Sequence, residues 1–416
     1  MAVPAEKTFW IETLGCPKNS VDSDKLVGTL VADGLVAADD PSEADVVVVN
    51  TCAFIEAARE ESIETVLSLS DRRRPGARLV VTGCMAERYG DELAAALPEA
   101  DAIAGFGVPV TLRPGRSSLD VAKLDLLNLP RPASAAPWAY VKVAEGCDRT
   151  CGFCAIPQFR GRQRSRSVES ILAEVESLAA QEIVLVAQDL ASYGRDVGNA
   201  GAIVDLVTRV TTLVPRVRLL YLYPSDLSDD LVDAICATGV PYFDLSLQHV
   251  AKPLLRRMRR WGDGERFLRR IDAIRERQPE AAFRSSFIFG YPGETEEHHD
   301  ELLRFLEDAR LDWAGFFPFC EEDGTYAADL DGDVDHALAM ERLHEASEIQ
   351  DRITAESRAA LVGRTIEVLV DEPGVGRSHR EAPEIDGIVS LPPHHTPRQF
   401  ATVTVTGAAG PDLEAA

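Results

Sequence analysis

The sequence lacks the features that would direct a protein to a membrane or out of the cell. No apolar run approaches the ~20 residues that a transmembrane helix needs. The N-terminal segment MAVPAEKTFW has no basic stretch followed by an apolar core, so it does not resemble a secretory signal peptide. At 45% hydrophobic and 27% charged residues, the composition is typical of a soluble globular protein. We therefore expect a cytoplasmic protein with no membrane partner, whose thiols stay reduced.

Positive charge is also scarce in this sequence. Lysine and arginine number 43 against 68 aspartates and glutamates, a net charge of −25. Proteins that bind nucleic acid usually carry a basic surface, so this charge argues against an RNA partner and favours a basic protein partner. Two arginine clusters are the best argument for RNA: RRMRRWG (256–262) and the run Arg160, Arg162, Arg164 and Arg166. Such runs more often form a solvated face.

Strand-like runs alternate with helical patterns over most of the chain. In residues 1–125, three runs each end at a cysteine: TFWIETLG before Cys16, VVVVNT before Cys52 and LVVTG before Cys84. A fourth run, DAIAGFG, has no cysteine. This alternation predicts an N-terminal α/β domain with a parallel sheet and helices on its faces.

The rest of the chain predicts two more domains after a linker at 126–136. Six strand-like runs separated by helical patterns favour a partial (β/α)6 barrel over 137–352: WAYVKVA, EIVLVAQ, RLLYLYP, YFDLSLQH, AFRSSFIFG and WAGFFPF. Active sites of such barrels lie at the carboxyl ends of the strands. Short alternating runs between glycine and proline turns predict a small all-β barrel over 353–416. The predicted fold class is therefore α/β with a C-terminal all-β domain.

A cysteine triplet follows the first barrel strand directly. The segment EGCDRTCGFCAIPQFRG spaces Cys147, Cys151 and Cys154 as C-x3-C-x2-C. Thiolates are the usual ligands of iron–sulfur clusters, and three ligands leave one iron of a four-iron cluster open. The motif resembles that of radical S-adenosylmethionine (SAM) enzymes, in which the open iron binds SAM and Phe153 would match the aromatic beside the adenine. The alternative is a structural zinc site, but zinc takes four ligands, usually in two pairs, and no second pair lies nearby.

A second set of cysteines is widely spaced in sequence but similar in position. Cys16, Cys52 and Cys84 each end a predicted parallel strand, and neighbouring strands are only ~4.8 Å apart. Three thiolates at one sheet edge would again ligate a four-iron cluster with one iron free. The alternative is that these cysteines are packed as small hydrophobic side chains. Cys236 and Cys320 lack such a context, and we expect them to belong to the core.

Segments along nearly the whole chain resemble the methylthiotransferase family. In order, they are TLGCPKNSVDSD, VVNTCAFIEAAREESIE, VTGCMAERY, EGCDRTCGFCAIPQFRGRQRSR, LQHVAKPLLRRMRR and FGYPGETEE. The family has an N-terminal methylthiotransferase domain, a radical SAM barrel and a C-terminal TRAM domain, in agreement with the three regions above. The segments LGCPKN and GRSHREAPEIDGIV resemble the branch that modifies a ribosomal protein, whereas the tRNA-modifying branch more often reads GCQMN at the first of them.

The resemblance implies a complete chemistry. The enzyme would add a methylthio group to the β-carbon of an aspartate in a basic small-subunit ribosomal protein, the twelfth of its set, at the decoding centre. It would use two [4Fe–4S] clusters, the first to carry sulfur and the second to cleave SAM, with two SAM molecules consumed in each turnover. A reductant such as flavodoxin or ferredoxin and a sulfur-delivery partner are implied. Two alternatives stay open: a tRNA methylthiotransferase acting on adenosine, and a non-enzymatic iron–sulfur factor that binds the ribosome.

Four further positions are candidates for contact with SAM: Phe153, Gln188, Gln248 and Gly290. Gln188 and Gln248 end the second and fourth barrel strands, and Gly290 lies in GYPGET, which resembles the SAM-contacting region of the family. A polar residue at a strand end can equally cap a loop, and a lone glycine turn is weak evidence. No catalytic side chain beyond the cluster ligands is predicted.

Three details depart from the family pattern. Asp24 stands where glutamate is usual, and Pro411 replaces a tyrosine before Asp-Leu. The segment LPPHHTPRQF before the last strand is also unusual. The C-terminal departures concern substrate contacts rather than the chemistry.

Overall fold

The computed structural model describes residues 6–110 and 125–416. The end of the first predicted domain, 111–124, and the first five residues lie outside the described residues. The chain forms two compact units, of which the first contains the segments up to Ala133, Ala144–Cys147 and Ala155–Arg166 and the second contains Ser134–Val143, Asp148–Cys154 and Ser167–Ala416. None of the helices in 6–110 and 125–416 is long and apolar enough to cross a membrane. The residues at which the three predicted domains begin and end stay a prediction.

The first unit is built on a five-stranded parallel sheet, as predicted. Its elements are β1 Thr8–Thr13, α1 Pro17–Ala32, β2 Val36–Ala37, β3 Val46–Thr51, α2 Glu56–Arg72, β4 Arg78–Gly83, α3 Cys84–Ala96 and β5 Ala102–Ala104. The strand order is β2-β1-β3-β4-β5, and all pairs are parallel. Every residue of β3 is buried, because helices cover both faces of a parallel sheet. The exposed two-residue strand β2 was not predicted.

The elements of the central region follow in the order expected of repeated β/α units. They are β6 Trp138–Lys142, β7 Ala144–Glu145, α4 Ile156–Arg160, β8 Arg164–Ser165, α5 Val168–Leu178, β9 Glu182–Val186, α6 Ala202–Thr211, β10 Arg216–Leu219, α7 Asp229–Cys236, β11 Tyr242–Gln248, α8 Lys252–Arg257, α9 Gly264–Arg277, β12 Ala282–Phe289, α10 Glu296–Ala309, β13 Trp313–Pro318 and α11 His336–Ala359. The short hairpin of β7 and β8, together with α4, belongs to the first unit.

Six parallel strands of the second unit form the predicted partial barrel. They make two three-stranded sheets, β10-β9-β6 and β11-β12-β13, connected by a single bridge between Leu222 and Leu245. The six predicted strands are therefore confirmed. The third strand is displaced toward the N-terminus of the run RLLYLYP, because Tyr221 has a φ of 67° and cannot continue an extended strand.

The C-terminal region of the second unit is a closed all-β barrel, as predicted. Its strands are β14 Thr365–Glu372, β15 Val375–Arg377, β16 Val389–Ser390, β17 Phe400–Ala409 and β18 Asp412–Ala415, in the order β14-β15-β16-β18-β17. Alternate residues such as Val368, Val370 and Val403 fill its core. Closure leaves no free strand edge in the barrel.

Buried charges connect this small barrel to the amino end of the β6–β13 barrel. Glu182, at the start of β9, accepts hydrogen bonds from Arg218 at 2.8 Å and from Arg377 of β15 at 3.2 Å. Although burial opposes ionisation, Arg377 and Arg218 together lower the pKa of Glu182 to about 2. The carboxylate is therefore ionised at any ordinary pH. Because the small barrel packs at the amino end, the carboxyl ends of the β6–β13 strands are left for an active site.

A single arginine in the unusual LPPHHTPRQF segment binds the linker backbone. Arg398 donates hydrogen bonds to the carbonyl oxygens of Ser134, Ala135 and Ala136 at 3.2, 3.0 and 2.8 Å. A further bond of 2.5 Å reaches the carbonyl of Ala179, beyond α5. The segment thus has an architectural role within the second unit.

Candidate functional site

The three widely spaced cysteines lie at the ends of three adjacent strands. Cys16 caps the N-terminus of α1 after β1, Cys52 directly follows β3, and Cys84 is the first residue of α3 after β4. Since β1, β3 and β4 are neighbours in the sheet, their carboxyl ends form one edge. Cys52 and Cys84 are buried, and Cys16 is half-buried. The structure therefore brings the first predicted triad together.

Two glycines allow the loops of this triad to approach closely. Gly15 has a φ of +92°, and a Cβ atom there would lie 2.8 Å from Cβ and 2.9 Å from Sγ of Cys52. Gly83 has a φ of +93°, and a Cβ atom there would collide with Asn50 and Thr51. Both positions therefore require glycine, in backbone conformation as well as in space.

Asparagine side chains hold the same edge of the sheet in place. Asn19, in the first turn of α1, donates hydrogen bonds to the carbonyls of Leu14 at 2.8 Å and Thr51 at 3.0 Å. Asn50, at the end of β3, donates at 2.9 Å to both the carbonyl of Asn19 and the hydroxyl of Ser23. The loops that present the cysteines are thus fixed by buried hydrogen bonds rather than by the cysteines themselves.

The acidities of the three thiols reflect their convergence. Burial opposes ionisation of Cys16, but Lys18 and Arg160 outweigh it and lower the pKa of this thiol. Burial raises the pKa of Cys52 to about 11, and repulsion from Cys84 and Cys16 adds to the effect. Burial also raises the pKa of Cys84, against the opposing influence of Arg160. Cys52 and Cys84 are therefore neutral thiols at ordinary pH, and a bound metal centre would be needed to hold all three as thiolates.

Arg160 is the residue of this site that sequence reasoning missed. The sequence pattern predicts a solvated face or an RNA contact for the arginine run at 160–166, yet the Arg160 side chain is only 3% exposed. It donates a hydrogen bond of 3.0 Å to Sγ of Cys84. Other arginines of the run have different surroundings, because Arg164 is exposed and pairs with Asp125, and buried Arg166 donates to Asn128. The charge pattern of the run does not distinguish the arginine that contacts a cysteine from the others.

The closely spaced triad lies on a loop between β7 and α4. Cys147 belongs to the first unit, where its amide donates to the carbonyl of Gly161 at 3.1 Å. Cys151 and Cys154 belong to the second unit, and the amide of Cys154 donates to the carbonyl of Cys151 at 3.2 Å. All three thiols are half-buried. They are therefore more accessible than the first triad.

Backbone contacts anchor the second-unit part of this loop. The amide of Gly152 donates to the carbonyl of Met258 at 2.8 Å, and its carbonyl accepts from the amide of Ala327 at 2.8 Å. A Cβ atom at Gly152 would lie 2.7 Å from the hydroxyl of Tyr291. The segment after β13 and the GYPGET segment therefore both pack against the cysteine loop.

Two arginines complete the environment of the loop. Arg149 donates to Asp189 at 2.6 Å and also pairs with Asp226, and its guanidinium lies 3.8 Å from the ring centre of Tyr223. Arg260 donates to Sγ of Cys151 at 3.3 Å and lies 4.0 Å from the same ring. The run RRMRRWG thus turns one arginine toward a predicted cluster ligand instead of toward RNA.

The four predicted SAM-contacting residues all lie at the carboxyl ends of barrel strands or on the cysteine loop. Phe153 is half-buried between Gly152 and Cys154. Gln188 follows β9, Gln248 ends β11 with a φ of 72°, and Gly290 follows β12 with a φ of +78°. A Cβ atom at Gly290 would lie 2.6 Å from Ala339, so that turn requires glycine. Their roles stay a prediction.

Two other strand-end residues have structural partners. Asp189 is 4% exposed and pairs with Arg149, as described above. His249 is fully buried, and its Nδ1 accepts a hydrogen bond of 3.0 Å from the amide of Ala251 at the start of α8. Burial, with a contribution from His298, lowers the pKa of His249 to about 3. His249 is therefore a neutral structural cap.

The two cysteine sets have the donor type of iron–sulfur clusters, which thiolates ligate. Across the parts of the chain that the structure describes, no three His, Cys, Asp or Glu side chains stand close enough to bind one ion. Cubane clusters do not need such closeness, because each cysteine binds a different iron. Three cysteines converging from three strand ends, with Gly15 close against Cys52, match that arrangement.

Family models match three successive parts of the chain. Residues 8–105 match "Uncharacterized protein family UPF0004", residues 141–306 match the radical SAM superfamily, and residues 362–416 match the TRAM domain. They correspond to the parallel sheet, most of the β6–β13 barrel and the closed C-terminal barrel. The predicted fold class is thereby confirmed in all three parts.

Curated relatives cover nearly the whole chain. A protein from Moorella thermoacetica is 42% identical over 412 residues, covering 95% of each chain, and one from Cutibacterium acnes is 40% identical over 442 residues, covering 92% of each. Both are named ribosomal protein uS12 methylthiotransferase RimO. Among solved structures, the radical SAM methyltransferase TsrM from Kitasatospora setae shares the fold, with a TM-score of 0.51 and 16% identity over 85% of this chain and 90% of its own. The chain belongs to the RimO family of methylthiotransferases.

Proposed function

We propose that the protein methylthiolates the β-carbon of an aspartate in ribosomal protein uS12, with two SAM molecules consumed in each turnover. The observation that carries the proposal is the pair of cysteine triads, one converging from three strand ends and one on a loop at the barrel. Each triad leaves one position of a four-iron cluster open, and two open clusters suit a reaction that needs a sulfur carrier and a radical source. The family membership supports the same conclusion.

The first triad is assigned to the sulfur-carrying cluster. Cys16, Cys52 and Cys84 would each ligate one iron, and the hydrogen bonds of Asn19 and Asn50 hold their loops before any cluster is bound. This preorganisation spares the site from rearranging when the cluster binds. When bound, the clusters and SAM together supply the sulfur, the methyl group and the hydrogen-abstracting radical.

The second triad is assigned to the cluster that binds SAM. Cys147, Cys151 and Cys154 would ligate it, and Arg149 would hold the loop through its buried carboxylate partners. The residues proposed to contact SAM are Phe153, Gln188, Gln248 and Gly290. They lie at the carboxyl ends of the strands, where ligands of β/α barrels bind.

The partners of the reaction follow from charge and chemistry. A net charge of −25 favours the basic ribosomal protein over tRNA as substrate. Cleavage of SAM requires an electron, which a reductant such as flavodoxin or ferredoxin would provide, and a separate partner would deliver sulfur. The proposed location is the cytoplasm, where the ribosome and reducing conditions meet.

Iron content and product formation test the proposal together. Anaerobically reconstituted protein should hold about eight irons, and a Cys16→Ala/Cys52→Ala/Cys84→Ala variant about four. Incubation of the full protein with uS12, SAM, dithionite as reductant and sulfide as sulfur source should increase the mass of uS12 by one methylthio group. The triple variant should give no methylthiolated uS12, while Cys236→Ala, a cysteine of α7 outside both triads, should behave like the unmodified protein.

A deletion strain separates the ribosomal substrate from tRNA. Mass spectrometry should show that uS12 loses its methylthio group while the tRNA modifications remain. Loss from tRNA alone would contradict the substrate assignment, and full methylthiolation by the triple variant would contradict the mechanism.

A further inference from the structure

We propose that Arg160 is a positioning residue of the first cysteine site, where its guanidinium sets the reduction potential of the cluster through the sulfur of Cys84. The inference deepens the proposed function and rests on it, since it assigns an electrostatic role beside the first cluster. It also gives a function to one arginine of a run that otherwise has the pattern of a solvated face.

The contact with sulfur is direct. Arg160 is the last residue of α4, and its Nη2 lies 3.0 Å from Sγ of Cys84 and 2.6 Å from Oδ1 of Asn19. A guanidinium has only donors, so both contacts are N–H groups aimed at the cysteine and at the asparagine that supports its loop. A charged donor forms a stronger hydrogen bond than a neutral one.

The guanidinium is held in this direction by other groups of the first unit. Its Nη1 donates to Asp22 at 3.1 Å and to Glu145 at 3.0 Å, and its carbon lies 4.4 Å from the ring centre of Phe106. Asp22 is 2% exposed and Glu145 is 17% exposed at the side chain. Such a planar fork is specific to arginine, because lysine would keep the positive charge but not the fixed pair of hydrogen-bond directions.

The charges around the triad make Arg160 electrostatically important. Two carboxylates, Asp22 and Glu145, contact the guanidinium, and three thiolates would join them when a cluster binds. Lys18, also buried, is the other cation whose charge acts on Cys16. In this largely buried site these interactions are weakly screened, so each charge has a large effect on the addition of an electron.

Reduction potentials of iron–sulfur clusters depend on net charge, hydrogen bonds to sulfur and exposure. Arg160 contributes a positive charge and a hydrogen bond to sulfur, and both favour the reduced, more negative cluster. Its burial limits the screening of that charge by water. Removal of the guanidinium should therefore make the first cluster harder to reduce. Removal of a neighbouring carboxylate should have the opposite effect.

The test isolates the first cluster in the full chain. In a background with Cys147, Cys151 and Cys154 changed to alanine, electron paramagnetic resonance can follow reduction of the remaining cluster during a potentiometric titration. Arg160→Gln should lower the reduced-to-oxidised ratio at a fixed potential about tenfold, which is ~59 mV for one electron. Arg160→Lys should restore most of that ratio, and Asp22→Asn should raise it.

A neighbouring arginine provides the matched control. Arg164 lies in the same run but is 58% exposed and pairs with Asp125, so Arg164→Gln should leave the potential unchanged. If Arg160→Gln and Arg160→Lys lowered iron content equally and left the potential of the assembled cluster unchanged, a purely structural role would replace the proposal. If Arg160→Gln took up no iron, Asp22→Asn would decide: a raised ratio supports the proposal, and an unchanged or lowered ratio overturns it.

The same experiment distinguishes failure of the proposed function from failure of the role proposed for Arg160. An unmodified first triad that bound no cluster in the isolating background would overturn the sulfur-carrying assignment and, with it, the role of Arg160. An intact cluster whose reduction potential is the same in the Arg160→Gln and Asp22→Asn variants as in the unmodified site would overturn only the inference about Arg160.

Discussion

The two cysteine sites each hold three thiols in place, but different parts of the chain and different contacts do so. The first takes its ligands from three strands that are far apart in sequence, and its thiols are mostly buried within a rigid sheet edge. The second takes its ligands from one short loop, its thiols are half-buried, and side chains such as Arg149 hold the loop. Each has an arginine on one cysteine sulfur, Arg160 at the first and Arg260 at the second. Buried hydrogen bonds of asparagine side chains hold the loops of the first site, whereas the ion pairs of Arg149 and the backbone contacts of Gly152 hold the loop of the second.

The largest effect should come from crowding the first site at Gly15. Gly15→Ala would place a methyl group within 3 Å of Cys52 and impose a left-handed conformation that costs about 1–2 kcal/mol. We expect loss of the first cluster, about half of the bound iron, and loss of methylthiolated uS12. Reductive cleavage of SAM to 5′-deoxyadenosine should continue, because the second site is not crowded. Iron analysis and chromatography of the nucleoside products measure both.

Gly34 offers the control for backbone strain. It has a φ of +84° and no atom within 4 Å of its potential Cβ. Gly34→Ala should therefore lower stability without loss of iron. Equal iron loss in the two variants would show that strain, not crowding of Cys52, controls the first site.

The second site should respond to loss of its arginine clamp. Arg149→Met would leave the carboxylates of Asp189 and Asp226, 4% and 9% exposed, without their partner in the loop. We expect a loss of about 2 kcal/mol in unfolding free energy and faster removal of the second cluster by a chelator. Urea denaturation and the time course of iron release give the two quantities.

An exposed arginine calibrates that experiment. Arg209 pairs with Glu169 and Asp205 at the surface, where ion pairs contribute only about 0–1 kcal/mol. Arg209→Met should release iron at the unmodified rate. If Arg149→Met also did so, side-chain clamps would not be what holds the second site.

A smaller effect is expected at Arg260 than at Arg160. Arg260 is half-buried, so water screens its charge more strongly than that of Arg160. Arg260→Gln should lower the reduced-to-oxidised ratio of the second cluster at fixed potential about threefold, roughly 28 mV for one electron. Electron paramagnetic resonance in the Cys16/Cys52/Cys84 triple-alanine background measures it. A shift larger than that of Arg160→Gln would reverse the proposed order of the two sites.

Acid should weaken the second unit, which contains all eight histidines. The pKa of buried His249 is about 3 in the folded protein against 6.5 in the unfolded chain, so the unfolded state binds more protons between these values. The contribution of neutral His249 to the free energy of unfolding is fully present above pH 6.5. It declines as the pH falls, by about 2 kcal/mol from pH 7 to pH 5.

The histidine itself can be removed to test this. His249→Asn keeps an acceptor for the amide of Ala251 but cannot be protonated, so its stability should fall less between pH 7 and pH 5. Urea midpoints followed by circular dichroism at the two pH values give the comparison. An unchanged pH dependence in the variant would assign the acid sensitivity to other groups.

Local patterns in the sequence were sufficient for the strands and for the cysteines. A buried run such as VVVVNT can only be an interior strand, and a cysteine at its end must lie at the carboxyl edge of a parallel sheet. The pattern was less informative for the third barrel strand, because the positive φ of Tyr221 depends on tertiary contacts. Two exposed residues of β2 carried no signal at all.

The two cluster arginines could not be predicted for a different reason. Arg160 meets Asp22 across 138 residues of sequence, and Arg260 meets Cys151 across 109. A run of arginines has the same sequence pattern whether its members are solvated or buried, since only the fold decides which one finds a thiolate. Prediction therefore succeeded for the placement of cysteines that follow regular elements and failed for the charges that surround them.

The hydrogen bonds of Arg398 have a consequence for the order in which the protein is made. The carbonyls of Ser134, Ala135 and Ala136 leave the ribosome 264, 263 and 262 residues before the side chain that binds them. At ordinary rates of synthesis this delay is on the order of tens of seconds. During that time the carbonyls of the linker before β6 lack the arginine that binds them in the folded protein. The segment that leads into the first barrel strand is therefore fixed only after Arg398, close to the last strands of the chain, has been synthesised.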